Sequence, residues 1–162
     1  MAQKNKTATQ SSFNAFKQAV TASPEIAEGY CQGLQALGPN AYTIAPQDTK
    51  KLSGSVNLDT HAREKYPEDP RWDYIIGYED KAYFLEIHPA TNSQNITEMY
   101  NKARWLKSWL NDKALALKAI TDRETLYWVP SGKCNFLSGS PERRKLAKNN
   151  ILIVKPLSLP PK

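Results

Sequence analysis

Long hydrophobic runs are missing from this chain of 162 residues, and cysteines are few. No apolar run approaches the roughly 20 residues that cross a membrane, and residues 1–10 contain no hydrophobic stretch of the secretory kind. We therefore expect a cytoplasmic protein that makes no membrane contact. Cys31 and Cys134 lie too far apart in sequence for a CxxC redox or zinc motif, so we expect both to be reduced.

Motifs of several enzyme classes are also missing. The chain has neither a glycine-rich dinucleotide motif nor the triad of a nucleophilic hydrolase. Ser131, Gly132 and Lys133 match only a fragment of the phosphate-binding loop pattern. His61 lies in a polar segment, where we expect a surface residue without a catalytic role. None of these patterns assigns a function.

Aromatic and apolar side chains, in contrast, are abundant. The chain contains 4 Trp, 8 Tyr and 4 Phe, and 40% of its residues are hydrophobic. Disordered chains lack such residues, and a chain of this length can bury one sizeable core. We expect a flexible N-terminal arm over residues 1–10 and a single domain over residues 11–162.

Positive charge is in excess, with a formal net charge of +6. This excess favours polyanions such as nucleic acid, because binding to a phosphate backbone releases counterions. Six basic residues are candidate phosphate contacts: Lys102, Arg104, Lys107, Arg143, Arg144 and Lys145. The last three lie in the 141–148 segment, for which a solvated helix face is an equally good interpretation.

The first part of the domain has helical periodicity. The spacing of apolar residues predicts helices over residues 11–23 and 24–38. Either Ser11 or Ser12 can cap the first of these helices, and Pro24 suits the first turn of the second. Two helices are therefore expected before the first strand.

The rest of the chain alternates between strand and helix patterns. The strongest helix begins at a cap at Ser93 or Asn95 and continues toward Ile120, with a kink near Asn111. The other predicted elements are strands over residues 53–58, 72–78, 81–88, 124–129 and 151–154 and a short helix over 141–148. This order favours an α/β fold with a central mixed β-sheet of about four to five strands flanked by helices.

A predicted hairpin brings two acids together. If its turn is centred between Glu79 and Asp80, the numbers of paired residues sum to 159, so Asp73 faces Glu86. Alternate residues of a strand share a face, which adds His88 to the same side. Like charges about 5 Å apart destabilise a ladder unless something cationic lies between them.

A divalent metal ion would supply that positive charge. Asp73 and Glu86 each lie in an otherwise apolar stretch, and an acid embedded in this way needs a partner. Carboxylates with waters completing the shell are typical of Mg²⁺, and a neighbouring histidine shifts the preference toward Mn²⁺. The alternative is that both acids lie in water at strand ends and repel each other weakly.

These residues resemble the PD-(D/E)XK nuclease superfamily over roughly residues 24–129. Its restriction-endonuclease-like core has the order α-β-β-β-α-β, with an Asp at the start of the second strand and Glu-x-Lys or Asp-x-Lys on the third. Asp73 and Glu86 correspond to the two acids, and His88 stands where the superfamily has lysine. The resemblance implies hydrolysis of phosphodiester bonds by Mg²⁺ held at Asp73 and Glu86, with His88 orienting or deprotonating the attacking water.

The histidine is the main departure from the superfamily pattern, because it replaces the lysine only as a neutral base. Some members carry the lysine elsewhere, so Lys102 or Lys107 substitutes for it if the long helix projects that residue over the sheet. Members also add an acid from the helix before the first strand. Glu25 and Glu28 are candidates for that acid, although such glutamates are more often solvated, and Asp59 is a weaker candidate.

Two alternatives to an active nuclease stay open, because some members of the superfamily have lost catalysis. One is a non-catalytic module of the same fold that binds nucleic acid or a protein partner. The other is a protein interaction domain without a metal. Titration with Mg²⁺ and Mn²⁺ tests the metal site, and salt-dependent binding tests the role of the charge.

Overall fold

The computed structural model describes residues 14–162. The predicted arm over residues 1–10 lies outside this range, as do Ser11 and Ser12. The first helix, α1, spans Ala15–Thr21, and its cap is Asn14, whose side chain accepts a hydrogen bond from the N–H of Lys17. The predicted serine caps are therefore replaced by an asparagine, which has the same capping chemistry.

Helices and strands alternate along most of the described chain. The remaining α-helices are α2 (Leu58–Ala62), α3 (Ser93–Lys113), α4 (Leu115–Ala119) and α5 (Pro141–Lys148). The strands are β1 (Ile44–Pro46), β2 (Leu52–Asn57), β3 (Tyr74–Tyr78), β4 (Lys81–Ala90), β5 (Thr121–Cys134), β6 (Ile151–Ile153) and β7 (Leu157–Leu159). Three 3₁₀ helices complete the list: Ala27–Gly29, Gln35–Thr43 and Thr49–Lys51. Among residues 14–162, no helix is long and apolar enough to cross a membrane.

A five-stranded mixed sheet lies at the centre, in the order β2-β3-β4-β5-β6. The strands β2, β3 and β4 are antiparallel neighbours, whereas β5 runs parallel to β4 and β6 runs parallel to β5. Each parallel connection contains a helix, α3 before β5 and α5 before β6, as parallel strands require. The predicted α/β fold with a mixed sheet flanked by helices is confirmed.

Both faces of this sheet are buried, each in its own hydrophobic cluster. One cluster joins the sheet to α1, α3 and α5. It includes Phe16, whose ring lies so close to Gly77 that a Cβ there would be 2.4 Å from it. The other cluster joins the opposite face to the Gln35–Thr43 segment and to β7. The acids of the hairpin therefore belong to strands that are covered on both sides.

The predicted helix over residues 24–38 is wrong. Ile26 is buried in the helix-side cluster, whereas Leu37 is buried in the opposite one. Between them Cys31 pairs with Ser55 of β2 through backbone hydrogen bonds in both directions. The segment thus runs around the β2 edge of the sheet, and Gly38, with φ of 55°, interrupts the following 3₁₀ helix. Burial on two sides of a sheet produced spacing that resembles a helical stripe.

Smaller differences occur at the ends of elements. The cap of α3 is Asn92, which exchanges hydrogen bonds with Asn95 in a capping box, so Ser93 is the first helical residue. The predicted kink is a break at Ala114, where α3 ends and α4 begins. No strand is predicted after residue 154, but residues 157–159 form β7, which pairs in parallel with β1. Three-residue strands are too short to show alternation in sequence.

Candidate functional site

The β3–β4 hairpin has the predicted register. Glu79 and Asp80 form the two-residue turn, and both have positive φ, 50° and 63°, the backbone that such turns need. Tyr74 pairs with Leu85, so the numbers of paired residues sum to 159. One position further along, Asp73 and Glu86 lie opposite each other, where the backbone ladder ends.

Each of the two acids accepts a hydrogen bond from the backbone of the opposite strand at this point. The N–H of Asp73 donates to Oε1 of Glu86 at 3.0 Å, and the N–H of Ile87 donates to Oδ2 of Asp73 at 3.0 Å. These side-chain bonds take over from the ladder bonds that end at Tyr74. Each carboxylate is therefore held in place by a backbone donor of the neighbouring strand, and the two carboxylates are fixed relative to each other.

Lys102 supplies a positive charge to this acid pair. It projects from α3 toward the sheet, and its Nζ lies 3.0 Å from Oε2 of Glu86, whose side chain is only 1% exposed. The same ammonium donates to the carbonyl oxygen of Arg71 at 2.8 Å. Of the two lysines considered as substitutes for the missing motif lysine, Lys102 is the one that reaches the acids.

His88 lies between two carboxylates. Its Nδ1 is 3.6 Å from Oε2 of Glu86, and its Nε2 is 2.7 Å from Oε1 of Glu98. The nearby Glu86 carboxylate raises the pKa of His88 and the hydrogen bond to Glu98 adds to the effect, while partial burial opposes it. Because both ring nitrogens face carboxylates, this environment favours the imidazolium more than water does.

Asp73 is the acid of this pair whose negative charge is less stabilised by its surroundings. Burial, and after it the negative charge of Glu86, raise the pKa of Asp73 to about 7, while the Ile87 N–H and Lys102 act in the opposite direction. Its second oxygen, Oδ1, makes no hydrogen bond within residues 14–162. A cation at Oδ1 would therefore relieve an unfavourable interaction that the protein leaves in place.

The remaining predicted acids are not part of this pair. Asp59 follows β2 and is close enough to raise the pKa of Asp73 slightly, but its carboxylate is bound by Arg63 and Arg71. Glu25 accepts hydrogen bonds from the Tyr66 hydroxyl and from Nε1 of Trp109. These contacts give Asp59 and Glu25 structural roles.

Two other residues singled out in the sequence also lie apart from the pair. Glu28 and His61 are both exposed. The expected surface position of His61 is confirmed.

The basic candidates divide into three groups. Lys102 belongs to the acid pair. Arg143 and Arg144 donate to backbone carbonyls of Phe136 and Gly139, so they hold the loop before α5. The third group, Arg104, Lys107 and Lys145, lines one cavity between α3 and α5.

Sequence reasoning missed the role of Glu98. It precedes Lys102 by four residues, and residues with this spacing share a face of a helix. Once Lys102 is known to lie over the sheet, this spacing predicts that Glu98 lies on the same side of the helix. Asn95, one turn earlier, donates to Oε1 of Glu98 at 3.2 Å and fixes its orientation.

The donor set of the acid pair fits a hard divalent cation with a shell completed by water. Among the described residues, no three His, Cys, Asp or Glu side chains form a metal-binding group. Mg²⁺ nevertheless needs only one or two carboxylates, since it retains several waters and binds substrate phosphates. Asp73 and Glu86 provide two carboxylates, and Oδ1 of Asp73 is the oxygen that no described donor occupies.

Fold and site together define a mixed α/β protein with an acid pair, of which Glu86 is buried and is contacted by a lysine and a histidine. Comparison of the chain with protein-family models, with curated proteins and with solved structures finds no match.

Proposed function

We propose that this chain is a Mg²⁺-dependent nuclease that hydrolyses phosphodiester bonds of nucleic acid. The observation that carries the proposal is the meeting of Asp73, Glu86 and the Lys102 ammonium at one end of a hairpin. Two carboxylates and a lysine are the groups that the PD-(D/E)XK superfamily combines, although here the lysine comes from α3. The cytoplasmic location stays a prediction.

The order of elements supports the same proposal. The elements α1, β2, β3, β4, α3 and β5 occur in the order α-β-β-β-α-β. Three short strands or α-helices interrupt this order: β1 before β2, α2 between β2 and β3, and α4 between α3 and β5. Asp73 precedes β3 and Glu86 lies within β4, which are the positions that the superfamily pattern requires. Position along the fold and chemistry of the side chains agree.

The roles of the side chains follow from their contacts. Asp73 and Glu86 would hold Mg²⁺, which when bound polarises a phosphate and lowers the pKa of a coordinated water. Lys102 places a fixed positive charge beside Glu86, where it would offset negative charge developing on the phosphate. His88 is better suited to position Glu86 than to accept a proton, because both of its nitrogens face carboxylates.

A second candidate function is a non-catalytic module of the same fold that binds nucleic acid or a protein partner. It is favoured by the bonds that the acids already make. Asp73 and Glu86 each replace a ladder hydrogen bond, and Lys102 already neutralises Glu86. In this case the acids would stabilise the hairpin end and would need no metal.

Calorimetric titration with Mg²⁺ and Mn²⁺ and a nicking assay separate the two candidates. The assay uses supercoiled plasmid, single-stranded DNA and single-stranded RNA with the wild-type chain, Asp73→Asn and Glu86→Gln. Glu64→Gln is the matched control, because Glu64 is exposed and makes no ion pair among residues 14–162. All four proteins should have the same secondary structure by circular dichroism.

The nuclease proposal expects metal-dependent cleavage by the wild type and by Glu64→Gln, with a loss of about 100-fold or more in each site variant. Heat of metal binding should disappear in the same two variants. Equal cleavage by all four proteins would point to a contaminating nuclease and would reject the proposal. Absence of both metal heat and cleavage in the wild type would favour the non-catalytic module.

A further inference from the structure

A cavity of about 370 Å³ lies between α3 and α5, apart from the acid pair. Arg104 and Lys107 line it from α3, and Lys145 lines it from α5. On α3, residues four and three positions apart lie on one ridge of the helix, which brings Tyr100, Arg104 and Lys107 to the same wall. The cavity is therefore a concave surface to which two helices contribute positive charge.

No acid belongs to the wall of this cavity. Within residues 14–162, none of its three basic side chains makes an ion pair, and the Arg104 guanidinium donates only to the Asn101 side chain. Three like charges that face one space repel one another, and an anion between them would reverse the sign of that interaction. The unneutralised charge of this cavity thus favours a bound anion.

A neighbouring cavity of about 340 Å³ gives a useful contrast. Lys107 lines it too, together with Lys118 and Arg123, but Asp122 and Glu124 belong to the same wall. Protein carboxylates thus offset the positive charge there, whereas none does so between α3 and α5. Anion binding is therefore expected in the α3–α5 cavity and not in its neighbour.

The size and polarity of the α3–α5 cavity fit a phosphate group. One water occupies about 30 Å³ in the liquid, so the cavity has room for a phosphate with part of its attached group and several waters. Arginine binds phosphate through paired N–H donors and lysine binds it as a point charge.

We propose that the α3–α5 cavity binds a backbone phosphate of nucleic acid through Arg104, Lys107 and Lys145. The net charge of +6 favours a polymer over a single phosphate, because a polymer presents many charges to the surface at once. Helical spacing puts Arg104 and Lys107 on the flank of α3 opposite Lys102, so this contact does not depend on the acid pair. It holds the polymer without taking part in bond cleavage.

The test measures binding of the full chain to fluorescein-labelled 20-nucleotide DNA and RNA, single-stranded and duplex, by anisotropy. EDTA is present, and salt varies from about 50 to about 300 mM. The cavity variant carries Arg104→Gln, Lys107→Gln and Lys145→Gln. The matched control carries Lys50→Gln, Lys65→Gln and Lys113→Gln, which remove the same charge from exposed lysines outside both cavities.

The proposal expects the cavity variant to bind at least about 10-fold more weakly than the wild type, with a salt slope smaller by about 2. The control should change affinity by less than about 3-fold. Equal weakening of both variants would overturn the proposal, because net charge alone would then explain binding. Absence of oligonucleotide binding in the wild type would overturn it as well.

Two further measurements distinguish the sources of phosphate and the two proposals of function. Calorimetry with inorganic phosphate identifies a small ligand, and phosphate binding without oligonucleotide binding would reject the polymer. Glu64→Gln, at an exposed residue outside the acid pair and both cavities, should bind oligonucleotide as tightly as the wild type. A failure of cleavage with intact, cavity-dependent binding would reject the nuclease proposal alone, whereas cleavage with no effect of the cavity variant would reject only the present inference.

Discussion

The positive charges on the two flanks of α3 have different surroundings. On one flank Lys102 lies against Glu86 and bonds to the Arg71 carbonyl, so its charge is used inside the protein. On the other flank Arg104 and Lys107 face a cavity without any carboxylate. Residues of the same chemical type, two to five positions apart on one helix, therefore have different partners.

The rotation of α3 about its own axis determines which charged residues face the sheet and which face the cavity. A step of one residue turns the helix by about 100 degrees, so Lys102 and Lys107 point in different directions. The buried stripe, which includes Met99 and Leu106, fixes which side faces the sheet. Charge on the sheet side is paired with a carboxylate, and charge on the cavity side meets none in the cavity wall.

Lys102→Met gives the largest expected effect. It leaves the buried Glu86 carboxylate without its closest positive partner, and we expect a loss of about 2–3 kcal/mol in the free energy of unfolding. Urea denaturation followed by circular dichroism measures the loss. The double variant Lys102→Met with Glu86→Gln should recover most of it, because the unpaired charge is then gone. A loss below about 0.5 kcal/mol for the single variant would show that His88 alone neutralises Glu86.

Asp73→Asn should have a smaller effect that depends on pH. Burial and the charge of Glu86 raise the pKa of Asp73 from 3.8 to about 7, so protonated Asp73 favours the folded state. The stabilisation is complete below the unfolded pKa and is lost as the pH rises through the folded pKa. Asparagine is neutral at every pH and retains an oxygen for the Ile87 N–H. The groups facing position 73, Glu86, Lys102 and Asp59, stay the same in both proteins.

Urea denaturation in EDTA at about pH 4 and about pH 8 tests this prediction. At the higher pH we expect Asp73→Asn to be more stable than the wild type by about 2 kcal/mol. The gain is smaller than the pKa shift alone would give, because the variant also gives up the attraction to Lys102. Near pH 4 the difference should almost vanish. An equal difference at both pH values would mean that the carboxylate keeps an ordinary pKa in the folded protein.

Lys107→Gln should have the smallest effect on stability. Lys107 is exposed, lines both cavities and makes no ion pair among the described residues, so its removal should leave the free energy of unfolding within about 0.5 kcal/mol of the wild type. Low salt is the sensitive condition, because repulsion among exposed charges is then least screened. A loss similar to that of Lys102→Met would remove the contrast between the two flanks.

Local pattern was enough for the hairpin and for most of the sheet. The residues around Glu79 and Asp80 determined the register, because side chains alternate along a strand and the turn fixes which positions pair. The juxtaposition of Asp73 and Glu86 follows from that register. The helix over residues 141–148 and the strands on both sides of it were also readable from periodicity.

Features that depend on long-range packing were not predicted from local patterns in the sequence. The chain around Cys31 buries residues on both faces of the sheet as it passes the β2 edge, and its apolar spacing imitates a helix. The pairing of β1 with β7 joins segments more than a hundred residues apart, which local periodicity does not report. Glu98 was missed because its contact with His88 depends on where α3 lies relative to β4.

The sequence by itself determined an α/β domain with two acids opposite each other at the end of a hairpin, since turn position and alternation are local properties. It also determined the excess of positive charge, but without a location. Only the tertiary structure decided that Lys102 neutralises Glu86 while Lys107 and Arg104 face a cavity with Lys145. The reason is that packing sets the rotation of α3 against the sheet, and this rotation depends on contacts between distant parts of the chain.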